Sequence, residues 1–255
     1  MLARRARDVL VGIAAQPGGP VDVIAVPSDG RRLRLGSVRA GVNARPLLAL
    51  RSPCGWNCFR LDASGLMKGT AASVRVEVED RRRKLRAIFA LPAAPPPAAT
   101  RLLRRVNGRM DGLRTVRVDE TLSNGSSLLT SRFAFQEPDR MSYVSSNGAR
   151  AVVVGRRRWD SFRGRWEMST IDPIRSPAYI WTRAGRARLV GEQRRGNRLL
   201  RVIAAFQPDE RFPAWFRLFV DRGDRVLEAE MLAPAHFMRD RFHAFNASFV
   251  IRPPR

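Results

Sequence analysis

The chain has 255 residues, 19 of them Gly and 17 Pro, and carries 47 Lys and Arg against 23 Asp and Glu, a formal charge of +24. That length suits one large domain or two ordinary ones, only short stretches read as helical, and no apolar run approaches the roughly 18 residues that a membrane-spanning helix needs. Lys68 and Lys84 are the only lysines, so the excess is one of arginine, and it implies attraction to anionic surfaces, either nucleic acid or acidic lipid headgroups.

Residues 1–20 read as a leader or linker. Leu2-Ala3-Arg4-Arg5-Ala6-Arg7 is basic and 9–15 (VLVGIAA) is apolar. That run sits at the lower limit of a signal-peptide core, and Asp8 beside it argues against one, which leaves a start helix or a truncated leader. Residues 21–92 read as a small β-sandwich, with short strands at 21–26, 31–35, 46–51, 58–62, 73–78 and 85–89. Turn residues such as Ser28-Asp29-Gly30 and Ser64-Gly65 separate them. Val74, Val76 and Val78 alternate with Arg75, Glu77 and Glu79, the period-2 pattern of a half-buried strand.

Residues 93–97 continue a Pro/Ala stretch that is stiff and extended rather than core-forming. The spacing then predicts a helix over 98–113. Leu102, Leu103, Val106, Met110 and Leu113 fall on one face. Strands follow at 116–122, 128–135, 141–144, 151–154, 165–169, 187–193, 199–206, 214–221, 226–232 and 241–251. Ser145-Ser146-Asn147-Gly148 between two β-rich runs is a strong hairpin signal. Trp159 and Trp166 bracket a bend at 160–164, and in the last strand Phe245, Ala247, Phe249 and Ile251 share a face. The fold class expected is therefore α+β and β-rich: a small N-terminal β-sandwich, then, over 98–255, an antiparallel half-barrel packed against one or a few helices.

Helix, then a strand carrying Phe133 and Phe135, then Pro138-Asp139-Arg140-Met141-Ser142-Tyr143, then an apolar run to Gly155 with Arg158-Trp159, resembles the lipoprotein-carrier (LolA-like) superfamily. Pro213-Ala214-Trp215-Phe216-Arg217-Leu218-Phe219-Val220-Asp221 and Ala235-His236-Phe237-Met238 resemble an extracytoplasmic actinobacterial branch of it. The resemblance covers about 98–254 and implies a half-open barrel with an apolar cavity for acyl chains, in an extracytoplasmic, envelope-associated or secreted setting. One clear helix stands where the family lid has more. The front domain resembles the secreted β-sandwiches attached to bacterial copper-resistance membrane proteins. The candidate ligand-binding stripe is Phe133, Phe135, Met141, Tyr143, Val152, Val154, Trp166, Trp181, Phe216, Leu218 and Leu227. The same residues would equally serve as the core of a filled sheet, since a barrel interior is filled by side chains or by ligand.

Cys54 and Cys58 are the only cysteines. Fully extended, they would lie about 13 Å apart, beyond the roughly 7 Å reach of a disulfide, but Pro53, Gly55 and Asn57 can bend the segment. One close pair in a domain read as extracytoplasmic favours a disulfide over structural thiols or a metal or redox pair. A copper site would draw on His236 and His243 with Met231 and Met238, although Phe237 and Phe242 imply packing there. Arg156-Arg157-Arg158-Trp159 and Arg163-Gly164-Arg165-Trp166 interleave cations with aromatics as single-strand binders do, yet they sit at expected hairpin tips, where solvated arginine is ordinary.

Nucleophile-elbow, phosphate-loop, dinucleotide and zincin patterns are missing from the sequence. The carboxylate pairs Asp119-Glu120, Asp209-Glu210 and Glu228-Glu230 have arginine neighbours and read as solvated ion pairs. The expectation is a non-enzymatic extracytoplasmic protein that needs no cofactor and holds a lipid, an acyl chain or another apolar ligand, its arginines drawn to an anionic membrane surface. The alternatives are an accessory module of a copper-resistance system and an arginine-rich nucleic-acid binder.

Overall fold

The structure is a computed structural model, and it describes residues 2–7, 9–15, 21–27, 35–43, 45–50, 58–62, 72–80, 83–91, 96–123, 128–162, 164–207, 214–233 and 236–254. The front of the chain forms β1 (Leu2–Ala6), β2 (Val9–Ala15), β3 (Val21–Pro27), β4 (Leu35–Val42), β5 (Leu48–Ala49), β6 (Cys58–Leu61), β7 (Ala72–Asp80) and β8 (Arg83–Leu91). They make two four-stranded sheets, ordered β1-β2-β3-β6 and β5-β4-β7-β8. Alternate residues of both sheets, among them Val9, Val11, Ile13, Val21 and Val23 from one and Val38, Ala40, Val74, Val76, Val78 and Phe89 from the other, form one buried cluster. This is the expected sandwich, with a correction at its start. The segment read as leader or start helix supplies β1 and β2, because Val9, Val11 and Ile13 recur at period 2 and bury one face.

The rear of the chain opens with α1 (Thr100–Asp111), which buries Leu103, Val106 and Met110. Each contributes about 1.5–3 kcal/mol relative to an exposed side chain. Gly112 caps the helix C-terminus, its N–H donating to the Gly108 carbonyl at 3.2 Å. Eleven strands follow: β9 (Thr115–Ser123), β10 (Leu128–Gln136), β11 (Arg140–Ser145), β12 (Arg150–Val154), β13 (Arg157–Phe162), β14 (Arg165–Thr170), β15 (Gly185–Arg195), β16 (Arg198–Gln207), β17 (Ala214–Val220), β18 (Val226–Ala233) and β19 (His236–His243).

They form one antiparallel 11-stranded sheet, ordered β14-β13-β12-β11-β10-β9-β19-β18-β17-β16-β15. Each half is a meander, and the halves join where the first strand, β9, pairs with the last, β19. The edges β14 and β15 stay apart, so the sheet is a half-barrel. Residues 171–184 connect those edges as an irregular strap. Among the described residues no helix is long and apolar enough to cross a membrane.

Two strand expectations are corrected. Residues 160–162 of the expected bend belong to the strand Arg157–Phe162, which pairs with β14 as far as Phe162 opposite Arg165. There Arg158 and Asp160, two residues apart on one face, pair through two 2.7 Å hydrogen bonds, which lets a charged segment lie in the sheet. The last strand is β19, not 241–251. Ala244 and Asn246 take positive φ values of 51° and 54°, and this left-handed backbone ends the ladder.

Candidate functional site

Pairing across β9, β10 and β11 sets which side chains face α1. Phe133 pairs with Val118 and Tyr143, and Phe135 with Val116 and Met141, and directly paired residues share a face. Val116 and Val118 belong to the cluster buried by the helix. Phe133 and Phe135 stack at 5.9 Å, and Phe133 meets Tyr143 at 5.4 Å. On β19, Met238 and Phe242 join this inner face.

The strap closes over it. The Tyr179 hydroxyl donates to the Met110 carbonyl at 3.0 Å, and Trp181 Nε1 donates to Asn107 Oδ1 at 3.2 Å. The two rings stack at 5.0 Å and both meet the edge of Phe242, at 5.9 and 5.5 Å. Trp181 is wholly buried. Burial pushes the Tyr179 phenol above its ordinary range, with the charge of Asp111 adding to the effect, so it stays a neutral hydrogen-bond donor.

Beneath the strap lies a cavity of about 160 Å³, lined by Val118, Glu120, Phe133, Phe135, Ala178, Tyr179, Ile180, Trp181, Met238, Asp240 and Phe242. Apart from two carboxylates its wall is aromatic, aliphatic or thioether. Those two, Glu120 and Asp240, are direct cross-strand partners at the β9–β19 seam. Asp240 is 7% exposed and its Oδ1 has no hydrogen-bond partner. Burial, and then the nearby Glu120, push the Asp240 carboxyl up to about 7, and burial raises that of Glu120.

Of the residues expected to line a cavity, Phe133, Phe135 and Trp181 do so. Phe216 and Leu218 are buried in the same inner cluster, toward the other half of the sheet. Met141 and Tyr143 share the inner face with Phe133 and Phe135 but lie outside the cavity wall. The other four belong to the opposite face. Ala151 and Val153 pair with Tyr143 and Met141 and are the buried residues of β12, so Val152 and Val154 point outward. Trp166 pairs with Ser161, which pairs with Arg150 and in turn with Val144, all on the outer face. Leu227 follows a register shift in β18 and packs with Leu200, Val202 and Phe219 on the outside.

The carboxylates also depart from expectation. Glu120 is not a solvated ion-pair member but part of the cavity wall. Its signal was legible, since it holds the apolar phase of Val116, Val118 and Leu122, as Asp240 holds that of Met238 and Phe242. Glu228 is 6% exposed and meets Arg195, Arg239 and Arg241 at 3.6, 2.7 and 3.7 Å. Asp209, Glu210, Arg163 and Cys54 lie outside the described residues, and with Cys54 goes the expected disulfide. His243 pairs with Asp119 at 3.3 Å, and among the described residues no three His, Cys, Asp or Glu gather as a metal site would require.

No family model matches this sequence, and no curated protein matches it. Solved structures similar to it include the Mycobacterium tuberculosis lipoprotein LppX, at 11% identity over 60% of this chain and 97% of that one, with a TM-score of 0.44. LprF from Mycobacterium bovis matches at 11% identity over 63% of this chain and 99% of that one, with a TM-score of 0.43. A Vibrio parahaemolyticus domain named for outer membrane lipoprotein sorting matches at 10% identity over 59% and 93%, with a TM-score of 0.29. Likeness this distant carries no functional argument.

Proposed function

We propose that this chain is a non-enzymatic binding protein whose half-barrel holds an apolar ligand, such as a segment of a lipid chain, between the strap and strands β9, β10 and β19. The observation that carries the reading is the aromatic-walled cavity of about 160 Å³ under Tyr179 and Trp181. A dry cavity of about 150 Å³ suffices for benzene in another protein, so the bound portion is a ring or a short stretch of chain. Binding would work by burying methylenes, at about 0.8 kcal/mol each, or roughly 4–5 kcal/mol for a six-carbon chain. That corresponds to a Kd in the range of about 0.1–1 mM.

An extracytoplasmic, envelope-associated setting belongs to the same proposal and rests on the resemblance of residues 98–254. The charge of +24 would draw the protein to acidic headgroups. The division at residues 93–97 into a front and a rear domain is also proposed. Its support is that one buried cluster draws only on residues up to 89 and the other only on residues from 99 onward.

The test is a titration with n-hexanol followed by NMR on the Trp181 indole N–H. Saturable binding near 1 mM is expected. Val118→Phe, which puts a larger side chain into the cavity wall, should weaken it at least about fivefold. Unsaturable shifts, or unchanged affinity in the folded variant, would overturn the reading.

A further inference from the structure

The apolar cavity has a polar feature that holding an alkyl chain does not require. Glu120 and Asp240 face each other across the β9–β19 seam and both line it. Asp240 is more than nine-tenths buried, with Oδ1 unpartnered, and neither group forms an ion pair with another of the described residues. Like charges directly opposite in a sheet are destabilising, and an uncompensated buried carboxylate is more so. A site that keeps both is built for something that satisfies both.

We propose that the Glu120–Asp240 pair makes this cavity selective for an apolar ligand carrying one protonated amine, with the ammonium against the two carboxyl groups and the alkyl or aryl body against Phe133, Phe135 and Phe242. The inference rests on the reading of the cavity as a ligand site and adds the chemical class of the ligand. An ammonium supplies up to three donors, which matches the unpartnered Asp240 Oδ1 together with Glu120. A carboxylate ligand, by contrast, would add a third negative group to the same seam.

The neighbouring elements leave the pair's titration uncomplicated. Ser131 of β10 pairs with Glu120, and its hydroxyl lies 2.6 Å from that of Ser145. Ala229 of β18 pairs with Asp240. Helix α1 presents Leu103, Val106 and Met110, and its Asn107 is held by Trp181. The strap supplies Tyr179, whose phenol is neutral and bonded to Met110. Asp111 beyond it pairs with Arg175 at 3.4 Å. Asp119, His243, Arg239 and Arg241 alternate with the pair along the same strands and so face outward. Between pH 5.5 and 8 the inner-face change is therefore the ionisation of the seam, while a simple aliphatic amine remains protonated.

The experiment compares n-hexylamine, n-hexanol and hexanoate as ligands of the whole chain at pH 8. The amine should bind at least about tenfold more tightly than the alcohol, and hexanoate at least about tenfold more weakly. In Asp240→Asn and in Glu120→Gln the amine's advantage over n-hexanol should shrink to within about threefold, with the Trp181 indole N–H resonance keeping its position as the sign that the strap still closes over the cavity. In the unaltered protein the advantage should shrink likewise at pH 5.5, a reading that needs no variant to fold. Equal binding of amine and alcohol at pH 8, or a preference that survives in both variants, would overturn the inference and leave the apolar-ligand reading standing. Failure of all three ligands to bind would overturn both.

Discussion

Trp181→Ala should cost the rear half-barrel about 3–5 kcal/mol, the range for a fully buried large aromatic. Trp181 is wholly buried, stacks on Tyr179 and meets the edge of Phe242. It also gives its indole N–H to Asn107 of the helix. Truncation therefore removes packing on both sides of the strap and leaves the Asn107 oxygen without this donor, adding a desolvation cost. The strap has no regular secondary structure of its own, so side-chain anchors of this kind hold it to α1 and β19. Denaturant unfolding of the variant, compared with Trp166→Ala on the outer face, checks this directly. The outer tryptophan should cost clearly less, since half-exposed side chains lose less contact on truncation.

Acidification should stabilise the protein through Asp240, against the usual direction for a carboxylate. Its ordinary pKa is 3.8, and burial next to Glu120 raises it to about 7 in the folded protein. The folded state thus binds a proton that the unfolded state has already released. This stabilisation is fully present below about pH 4 and is lost as the pH rises to about 7. The ceiling is about 4 kcal/mol at about 1.4 kcal/mol per unit. Glu120 is shifted in the same direction and adds to the trend. Burial alone would raise Asp224, but the hydrogen bonds and charges of Arg105 and Arg201 together hold it below its ordinary value, so it contributes stability that is lost on acidification. The two effects are separated by Asp240→Asn. The variant should be more stable than the parent by a few kcal/mol at pH 8, and nearly equal to it at pH 4. Equal stability at both pH values would mean that Asp240 titrates normally.

What was legible in the sequence follows from which residues carry an unambiguous period. Val74, Val76 and Val78 alternate with charged neighbours, and Phe133 and Phe135 alternate with Arg132, the small Ala134 and Gln136, so their strands and buried faces could be read. In Ala151-Val152-Val153-Val154 every residue is apolar, so the pattern does not say which pair faces inward. The register with Tyr143 and Met141 settles it for Ala151 and Val153. The helix stripe of Leu103, Val106 and Met110 was equally plain. The cavity's polar seam was not, because it depends on Glu120 and Asp240 meeting across a pairing of the first and last strands of the sheet. No local pattern encodes a contact at that separation. The strap was also opaque, since residues 171–184 follow neither period and Tyr179 acquires its role only from the helix it touches.

The most direct test of the central claim is a crystal structure of the protein soaked with 1-bromohexane, with the bromine located by anomalous scattering. The expected result is density for the ligand between Phe133, Phe135, Trp181 and Phe242. Bromine found only on the outer face, or none under the strap at saturating ligand, would contradict the account and make the inner aromatics a filled core.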